Sequence, residues 1–146
     1  MHDADRPIVR IVDDESAVRE ALAFLLQEEG WDVRLYSSAE DFLAHDPTDR
    51  PGWLVLDVKM PGLSGTELHA ILRNRGFAVP ILFLSAHGDI DMAVQALQKG
   101  AVDFIPKPLR PERVLEAVAK AVQNDRDRRD FGMTRDECRA RLLRLT

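Results

Sequence analysis

The sequence has 146 residues, of which 45% are hydrophobic, so it is long enough for one compact domain with a short extension and too apolar for a disordered chain. Its formal net charge of −5 argues against direct binding to nucleic acid, because affinity for phosphate backbones comes chiefly from Lys and Arg. The single cysteine, Cys138, excludes an intramolecular disulfide and suits a reducing cytoplasm, and neither a signal peptide nor a membrane span is predicted.

Five short apolar runs predict five β-strands, over residues 8–12, 31–36, 53–56, 81–84 and 103–105. The third and fourth runs are almost continuously apolar, which is typical of parallel strands that are covered on both faces.

Segments with helical spacing of apolar residues lie between and after these strands. A capping box formed by Ser37 and Glu40 predicts one short helix that ends at Leu43. The other helices are predicted from four apolar stripes, which are Val18, Leu22 and Leu25; Leu68, Ile71 and Leu72; Ile90, Ala93, Val94 and Leu97; and Val114, Leu115, Val118, Ala121 and Val122.

The alternation of strands and helices predicts an α/β fold of the (βα)₅ type, doubly wound, with a parallel five-stranded sheet and helices on both faces. A run of mixed charges begins at Asn124. We therefore assign residues 1–123 to the globular domain and residues 124–146 to a charged linker or helical tail.

Polar residues gather at the predicted carboxyl ends of the strands, where open parallel sheets bind their ligands. The first strand is followed by Asp13 and Asp14, the third ends in Asp57, the fourth ends in Ser85, and the fifth is followed by Lys107. Carboxylates placed together stay ionised when a hard divalent cation such as Mg²⁺ sits among them. One carboxylate could then attack a phosphorus centre, while the metal, the lysine and the hydroxyl neutralise charge on the phosphoryl oxygens.

Four motifs in this order resemble those of the receiver domains of bacterial two-component response regulators. The resemblance covers residues 8 to about 122 and implies a flavodoxin-like sheet with strand order 2-1-3-4-5. The motifs are Val12-Asp13-Asp14-Glu15, Leu56-Asp57-Val58-Lys59-Met60-Pro61-Gly62, Ser85-Ala86 and Phe104-Ile105-Pro106-Lys107-Pro108.

The resemblance implies roles for the residues around the third strand. Asp57 is the implied phosphoacceptor. Asp14 and Asp57 would bind Mg²⁺ or Mn²⁺ directly, Asp13 would act mainly through water, and the backbone carbonyl of Lys59 would complete the protein ligands.

The resemblance also implies a switch at the fourth and fifth strands. Lys107 would pair with the phosphoryl group, and the peptide bond before Pro108 is expected to be cis. The Ser85 hydroxyl would turn toward a phosphoryl oxygen, and Phe104 would rotate inward, reshaping the face made by the fourth helix, fifth strand and fifth helix. Alternatively, Ser85 caps a turn and Phe104 is a packing residue.

The partners implied by the resemblance are a sensor histidine kinase, which would dock on the first helix near Ala17, Val18 and Ala21, and a second copy of the chain, which would bind the switch face after phosphorylation. No membrane partner is expected. The segment 141–146 resembles the entry to a LuxR/FixJ-type helix-turn-helix domain. We expect the receiver and linker of a transcription regulator, with DNA bound only through a domain absent from this sequence; a stand-alone receiver is the alternative.

Two other functions compete with a signalling module. A flavodoxin-like electron carrier needs a loop after the first strand that cradles phosphate, whereas Asp13-Asp14-Glu15-Ser16 would repel it. A hydrolase of the haloacid dehalogenase type places an acid two residues after its nucleophile, and Lys59 occupies that position here. We therefore expect a protein that catalyses only its own phosphorylation and slow dephosphorylation, and not an enzyme acting on an outside substrate.

Overall fold

Five strands, each followed by a helix, make up the part of the chain that the computed structural model describes, residues 7–48, 50–77, 79–86 and 90–131. The strands are β1 (Ile8–Val12), β2 (Asp32–Tyr36), β3 (Gly52–Asp57), β4 (Ile81–Ser85) and β5 (Asp103–Pro106). The helices are α1 (Ser16–Glu28), α2 (Ala39–His45), α3 (Gly65–Asn74), α4 (Ile90–Gln98) and α5 (Pro111–Phe131). Every strand boundary lies within one residue of its predicted position.

The five strands form one parallel sheet in the order β2-β1-β3-β4-β5. This confirms the predicted (βα)₅ fold, its doubly wound sheet and its strand order. The chain leaves β1 toward β2 on one side and later returns to β3 on the other. The carboxyl ends of β1 and β3 therefore flank the point where strand order reverses.

Helices cover both faces of the sheet because alternate residues of each strand point to opposite sides. One face packs Leu54, Leu56 and Phe83 against a cluster that includes Phe42 of α2 and Leu68 of α3. The opposite face carries a second cluster, made of Val9, Ile11, Trp53, Val55, Leu82, Leu84 and Ile105 with residues of α1 and α5. Strands buried on both sides explain the continuous apolar runs in the sequence.

The structure corrects two local predictions. Helix α2 is capped by Ser38, whose hydroxyl accepts a hydrogen bond from the Asp41 backbone N–H, and not by Ser37 with Glu40. On α4, Val94 is 45% exposed, whereas Ala96 is buried. Positions 94 and 96 point to opposite sides of a helix, so the side that carries Ala96 packs on the sheet and Val94 faces solvent.

Helix α5 continues past Gln123, the residue at which the globular domain is predicted to end, and reaches Phe131. The remainder of the predicted tail, residues 132–146, lies outside the described residues. Within the described part of the chain, no helix combines the length and hydropathy that crossing a membrane requires.

Candidate functional site

Four acidic residues meet at the carboxyl end of the sheet. Asp13, Asp14 and Glu15 follow β1, and Asp57 is the last residue of β3. One carboxylate oxygen from each lies within 4.8 Å of the others. Asp13 and Asp57 are buried, whereas Asp14 and Glu15 are exposed, so the cluster is in part accessible to solvent.

The position of Asp57 is set by the strand before it and by the loop after it. All six residues of β3 are buried, which fixes the strand in the middle of the sheet. After Asp57, the backbone N–H of Val58 donates to the Leu84 carbonyl at 3.0 Å, and the N–H of Gly65 donates to the Val58 carbonyl at 2.9 Å. The loop therefore closes on itself directly beside the carboxylate.

Helix α3 begins immediately after this loop. Ser64 caps it in a capping box with Glu67, in which each side chain accepts a hydrogen bond from the other residue's backbone N–H. A Cβ atom on Gly65 would lie only 1.9 Å from the Asp57 carbonyl oxygen. A residue without a side chain is therefore needed where the helix packs against the backbone of Asp57.

Asp13 is held by the turn between β1 and α1. Its backbone N–H donates to the Tyr36 carbonyl at 3.2 Å, and its Oδ1 accepts a hydrogen bond from the backbone N–H of Glu15 at 2.8 Å. Arg19 of α1 donates to the Asp13 carbonyl at 2.7 Å. These contacts leave Asp13 Oδ2 directed toward the cluster.

Lys107 brings a positive charge into the acidic cluster from the loop between β5 and α5. Its Nζ lies 3.0 Å from Glu15 Oε1, 3.1 Å from Asp13 Oδ2 and 3.3 Å from Asp57 Oδ2. Its backbone N–H donates to the Ser85 carbonyl at 2.8 Å, and the peptide bond to Pro108 is cis.

Electrostatics at the site penalise a charged Asp57. Burial and then the neighbouring Asp13 carboxylate raise the pKa of Asp57 to about 6, although Lys107 acts in the opposite direction. Burial also raises the pKa of Asp13. Burial opposes the charge on Lys107, but the hydrogen bond to Glu15 and the charge of Asp13 outweigh it and raise the pKa of Lys107. The Lys107 ammonium therefore stays charged. An additional positive charge at the site would favour the ionised forms of Asp13 and Asp57.

The donor set fits a hard divalent cation. Oxygen ligands from carboxylates are those that Mg²⁺ prefers, and Mn²⁺ accepts them as well. Within the described residues the four carboxylates share one ammonium group, so a divalent cation would relieve the repulsion that raises the pKa of Asp57.

The other predicted site residues lie around this centre. Ser85 is buried at the end of β4, one residue beyond Leu84, the register partner of Asp57. Lys59 is exposed, and its backbone N–H donates to Asp57 Oδ1 at 3.3 Å. Phe104 of β5 is half-buried against the core, and the Arg113 guanidinium lies 5.7 Å from the centre of its ring.

Two residues with a place at the site were assigned no role from the sequence. Glu15 contacts Lys107, and its position in the acidic run after β1 was the available signal. Gly65 packs on the Asp57 backbone, and only its place directly after the helix cap Ser64 hints at a constraint. The contact of Glu15 joins segments 92 residues apart, which spacing along one chain does not reveal.

Comparison with known proteins places most of the chain in one family. Residues 9–119 match the family model described as the response regulator receiver domain. The chain is 47% identical over 122 residues to the transcriptional regulatory protein TdiR of Thauera aromatica, covering 84% of this chain and 54% of TdiR. It is 45% identical over 116 residues to the transcriptional regulatory protein FixJ of Rhizobium meliloti, covering 80% of this chain and 57% of FixJ.

Solved structures give the same likeness. The crystal structure of FixJ-N superimposes with a TM-score of 0.74 at 44% identity, covering 84% of this chain and 96% of that one. The response regulator StyR superimposes with a TM-score of 0.79 at 39% identity, covering 96% of this chain and 69% of that one. The chain spans about half the length of the curated relatives it matches, TdiR and FixJ.

Proposed function

The chain belongs to the response regulator receiver domain family, and from this membership we propose that it is a phosphorylation-activated switch in which Asp57 accepts the phosphoryl group. The observation that carries the proposal is the meeting of Asp57 with Lys107 and with the carboxylates of Asp13 and Asp14 at the strand-order reversal. One nucleophilic carboxylate therefore lies beside carboxylates that can hold a cation and an ammonium group that can neutralise a phosphoryl group.

The divalent cation would be held by Asp14 and Asp57, by Asp13 chiefly through water, and by the Lys59 backbone carbonyl. Bound there, Mg²⁺ or Mn²⁺ would supply positive charge that offsets the repulsion among the carboxylates and the negative charge of the phosphoryl oxygens. The support is the donor set, because these acidic residues bring carboxylate oxygens within 4.8 Å of one another.

Asp57 is the nucleophile of the proposed reaction. One of its carboxylate oxygens forms a bond to phosphorus while the bond from phosphorus to the donor breaks, and the donor leaves with that electron pair. The product is an aspartyl phosphate. Lys107, whose Nζ lies 3.3 Å from Asp57 Oδ2, donates to a phosphoryl oxygen.

The switch lies on the side of the site formed by β4 and β5. The Ser85 hydroxyl turns toward a phosphoryl oxygen, and Phe104 moves further into the core behind it. Phe104 is half-buried, and Arg113 of α5 contacts both the ring and the carbonyl of Phe104. A movement of Phe104 would therefore alter the face formed by α4, β5 and α5.

The proposed donor is a phosphohistidine on a sensor histidine kinase that docks on α1. Ala17 and Ala21 are exposed on this helix and Val18 is half-buried, so an apolar contact surface lies next to the site.

With Lys59 standing two residues after Asp57, no acid occupies the position that a hydrolase of the haloacid dehalogenase type uses. The domain therefore acts on itself, by phosphorylation and slow dephosphorylation.

The output that we propose is transcription, through a helix-turn-helix domain joined to the segment 124–146. Two of the relatives are named transcriptional regulatory proteins, and this chain spans about half of their length.

Phosphorylation would favour a homodimer through α4, β5 and α5. Light scattering with and without beryllofluoride, a phosphoryl mimic, tests this proposal, and an unchanged molar mass contradicts it.

The experiment for the phosphoacceptor is an intact-mass measurement after incubation with acetyl phosphate and Mg²⁺. We expect a gain of one phosphoryl group in the wild type, a similar gain with Mn²⁺, and none after chelation of the metal. Asp57→Asn should gain nothing, whereas Asp91→Asn, which changes an exposed acid on α4, should behave as the wild type does. A folded wild type that gains no mass contradicts the proposal.

A further inference from the structure

Lys107 has two buried carboxylate partners and one exposed partner. The side chains of Asp13 and Asp57 are 0% and 7% exposed, whereas that of Glu15 is 59% exposed. Its contact with Lys107 at 3.0 Å nevertheless joins residues 92 positions apart, across the mouth of the site from the β1–α1 turn to the β5–α5 loop.

The Glu15 carboxylate is directed to Lys107 and is not used to cap α1. Glu15 stands at the N-cap position, where a side chain usually accepts a hydrogen bond from the first turn, but no such bond is present. Its backbone is fixed instead, because its N–H donates to Asp13 Oδ1 and its carbonyl accepts from the Arg19 N–H. A fixed backbone that carries an exposed side chain suits a contact that can be broken.

We propose that Glu15 is a positioning residue that holds Lys107 in the unphosphorylated chain and competes with the phosphoryl group for it. The inference rests on the proposed phosphorylation of Asp57. A phosphoryl group on Asp57 presents several anionic oxygens to the ammonium, which already has three carboxylate neighbours. Lys107 turns toward them by giving up Glu15, its only exposed partner among the three, since Asp13 and Asp57 are built into the sheet edge.

Removal of the Glu15 charge therefore favours the phosphorylated form. An ion pair with one exposed partner is modest in strength, so we expect Glu15→Gln to bind beryllofluoride roughly two- to fivefold more tightly than the wild type at saturating Mg²⁺. The measurement is a nuclear magnetic resonance titration that follows backbone amides of the loop after Asp57. Phosphorylation by acetyl phosphate should accelerate by a similar factor.

Two further variants distinguish loss of the Glu15–Lys107 contact from loss of a negative charge. Glu20→Gln removes an exposed acid from the same helix and should leave beryllofluoride affinity unchanged. Glu15→Asp keeps the charge but shortens the arm by one methylene. If the contact with Lys107 matters, Glu15→Asp should bind beryllofluoride as tightly as Glu15→Gln does. The inference is wrong if Glu15→Asp binds it like the wild type while Glu20→Gln binds it as tightly as Glu15→Gln does.

Glu15 also lies within the acidic cluster, so the opposing possibility is that it helps to bind the cation. Isothermal titration with Mg²⁺ alone distinguishes the two roles. Our inference predicts that Glu15→Gln does not weaken Mg²⁺ binding more than Glu20→Gln does; a larger loss, accompanied by weaker beryllofluoride binding, overturns it. A folded wild type that binds no beryllofluoride would contradict the proposed function itself, which is a different outcome.

Discussion

At the scale of single residues, a charged Asp57 carboxylate destabilises the metal-free fold. Burial and Asp13 raise the pKa of Asp57 from 3.8 to about 6, so the folded chain binds a proton more tightly at this group than the unfolded chain does. Stability contributed by this group is present below the unfolded pKa and is lost as the pH rises through about 6. The same repulsion that destabilises the metal-free chain favours binding of a cation.

The variant Asp57→Asn should therefore stabilise the metal-free protein at neutral pH. We expect its free energy of unfolding in a chelator near pH 7.5 to exceed that of the wild type by about 3 kcal/mol, the order that such a pKa change implies. Near pH 4, where Asp57 is protonated, the two proteins should be nearly equal. Urea unfolding monitored by circular dichroism gives both values, and equal differences at the two pH values would contradict this explanation.

Gly65 shows how close packing limits the residues allowed beside Asp57. An added Cβ would approach the Asp57 carbonyl to 1.9 Å, so either α3 or the end of β3 must shift in Gly65→Ala. We expect a loss of about 1–3 kcal/mol in the free energy of unfolding and slower phosphorylation by acetyl phosphate. Thr66→Ala, one residue further into α3, should affect both measurements less, and an equal effect of the two variants would argue against a special role for Gly65.

At the scale of elements, patterns within one segment and the meeting of strand ends were predicted, whereas individual side-chain contacts were not. The strands were evident because burial on both faces makes β3 and β4 continuously apolar. The cap of α2 was placed one residue early because Ser37 and Ser38 are adjacent and both are suitable caps, so only the backbone geometry selects Ser38. Val94 was assigned to the core because it shares a helix face with other apolar residues, whereas the structure buries the side that carries Ala96.

The candidate site could be predicted from the order of the strands and helices. Parallel strands bring their carboxyl ends to one edge, so Asp13, Asp57 and Lys107 could be placed together from the element order. The partner of Lys107 with the shortest distance, Glu15, could not be identified, because a side-chain contact across 92 residues depends on the rotamers of both ends. Roles in catalysis and switching were taken from the family resemblance and remain predictions.

A buried ionic cluster on β1 and β2 had no signature in the sequence. Arg10 of β1 is fully buried, and its Nε donates to both oxygens of Asp46 at 3.0 and 2.9 Å. The Tyr36 hydroxyl also donates to Asp46, and the Thr48 N–H donates to it at 3.0 Å. Burial and then this carboxylate raise the pKa of Tyr36. The cluster joins β1 and β2 to the segment that follows α2.

Loss of one partner of this cluster should be costly. Asp46→Ala leaves the charge of Arg10 buried without its carboxylate, and we expect the free energy of unfolding to fall by about 3–5 kcal/mol. Asp91→Ala, at an exposed position of α4, should change it by less than about 0.5 kcal/mol. Chemical unfolding of both variants checks the comparison. A small effect of Asp46→Ala would show that the cluster adds little to stability.

At the scale of the whole molecule, charges are paired within the fold and left partly unpaired at the site. The carboxyl edge concentrates uncompensated negative charge at the site, whereas Arg10 and Asp46 form a compensated ion pair in the fold. A ligand that binds only the folded chain stabilises all of it, since the sheet and its helices form one body of packed elements. Binding of a cation at one edge should therefore be visible in global unfolding.

Mg²⁺ at ten times its dissociation constant should raise the free energy of unfolding by about 1.4 kcal/mol relative to the chelated protein at equal ionic strength. Asp14→Asn should lose most of this gain, because Asp14 is an exposed member of the acidic cluster that can change without disturbing the core. Asp91→Asn should keep it. A gain of equal size in all three proteins would indicate non-specific binding of the ion.

The central claim is that Asp57 carries the phosphoryl group, and the most direct measurement identifies the modified residue chemically. The protein is treated with acetyl phosphate and Mg²⁺, reduced with sodium borohydride, which converts an aspartyl phosphate to homoserine, and digested for peptide mass spectrometry. We predict homoserine at position 57, and none at Asp13 or Asp14. Homoserine at another acidic residue, or none in a protein that has gained phosphoryl mass, would contradict the account.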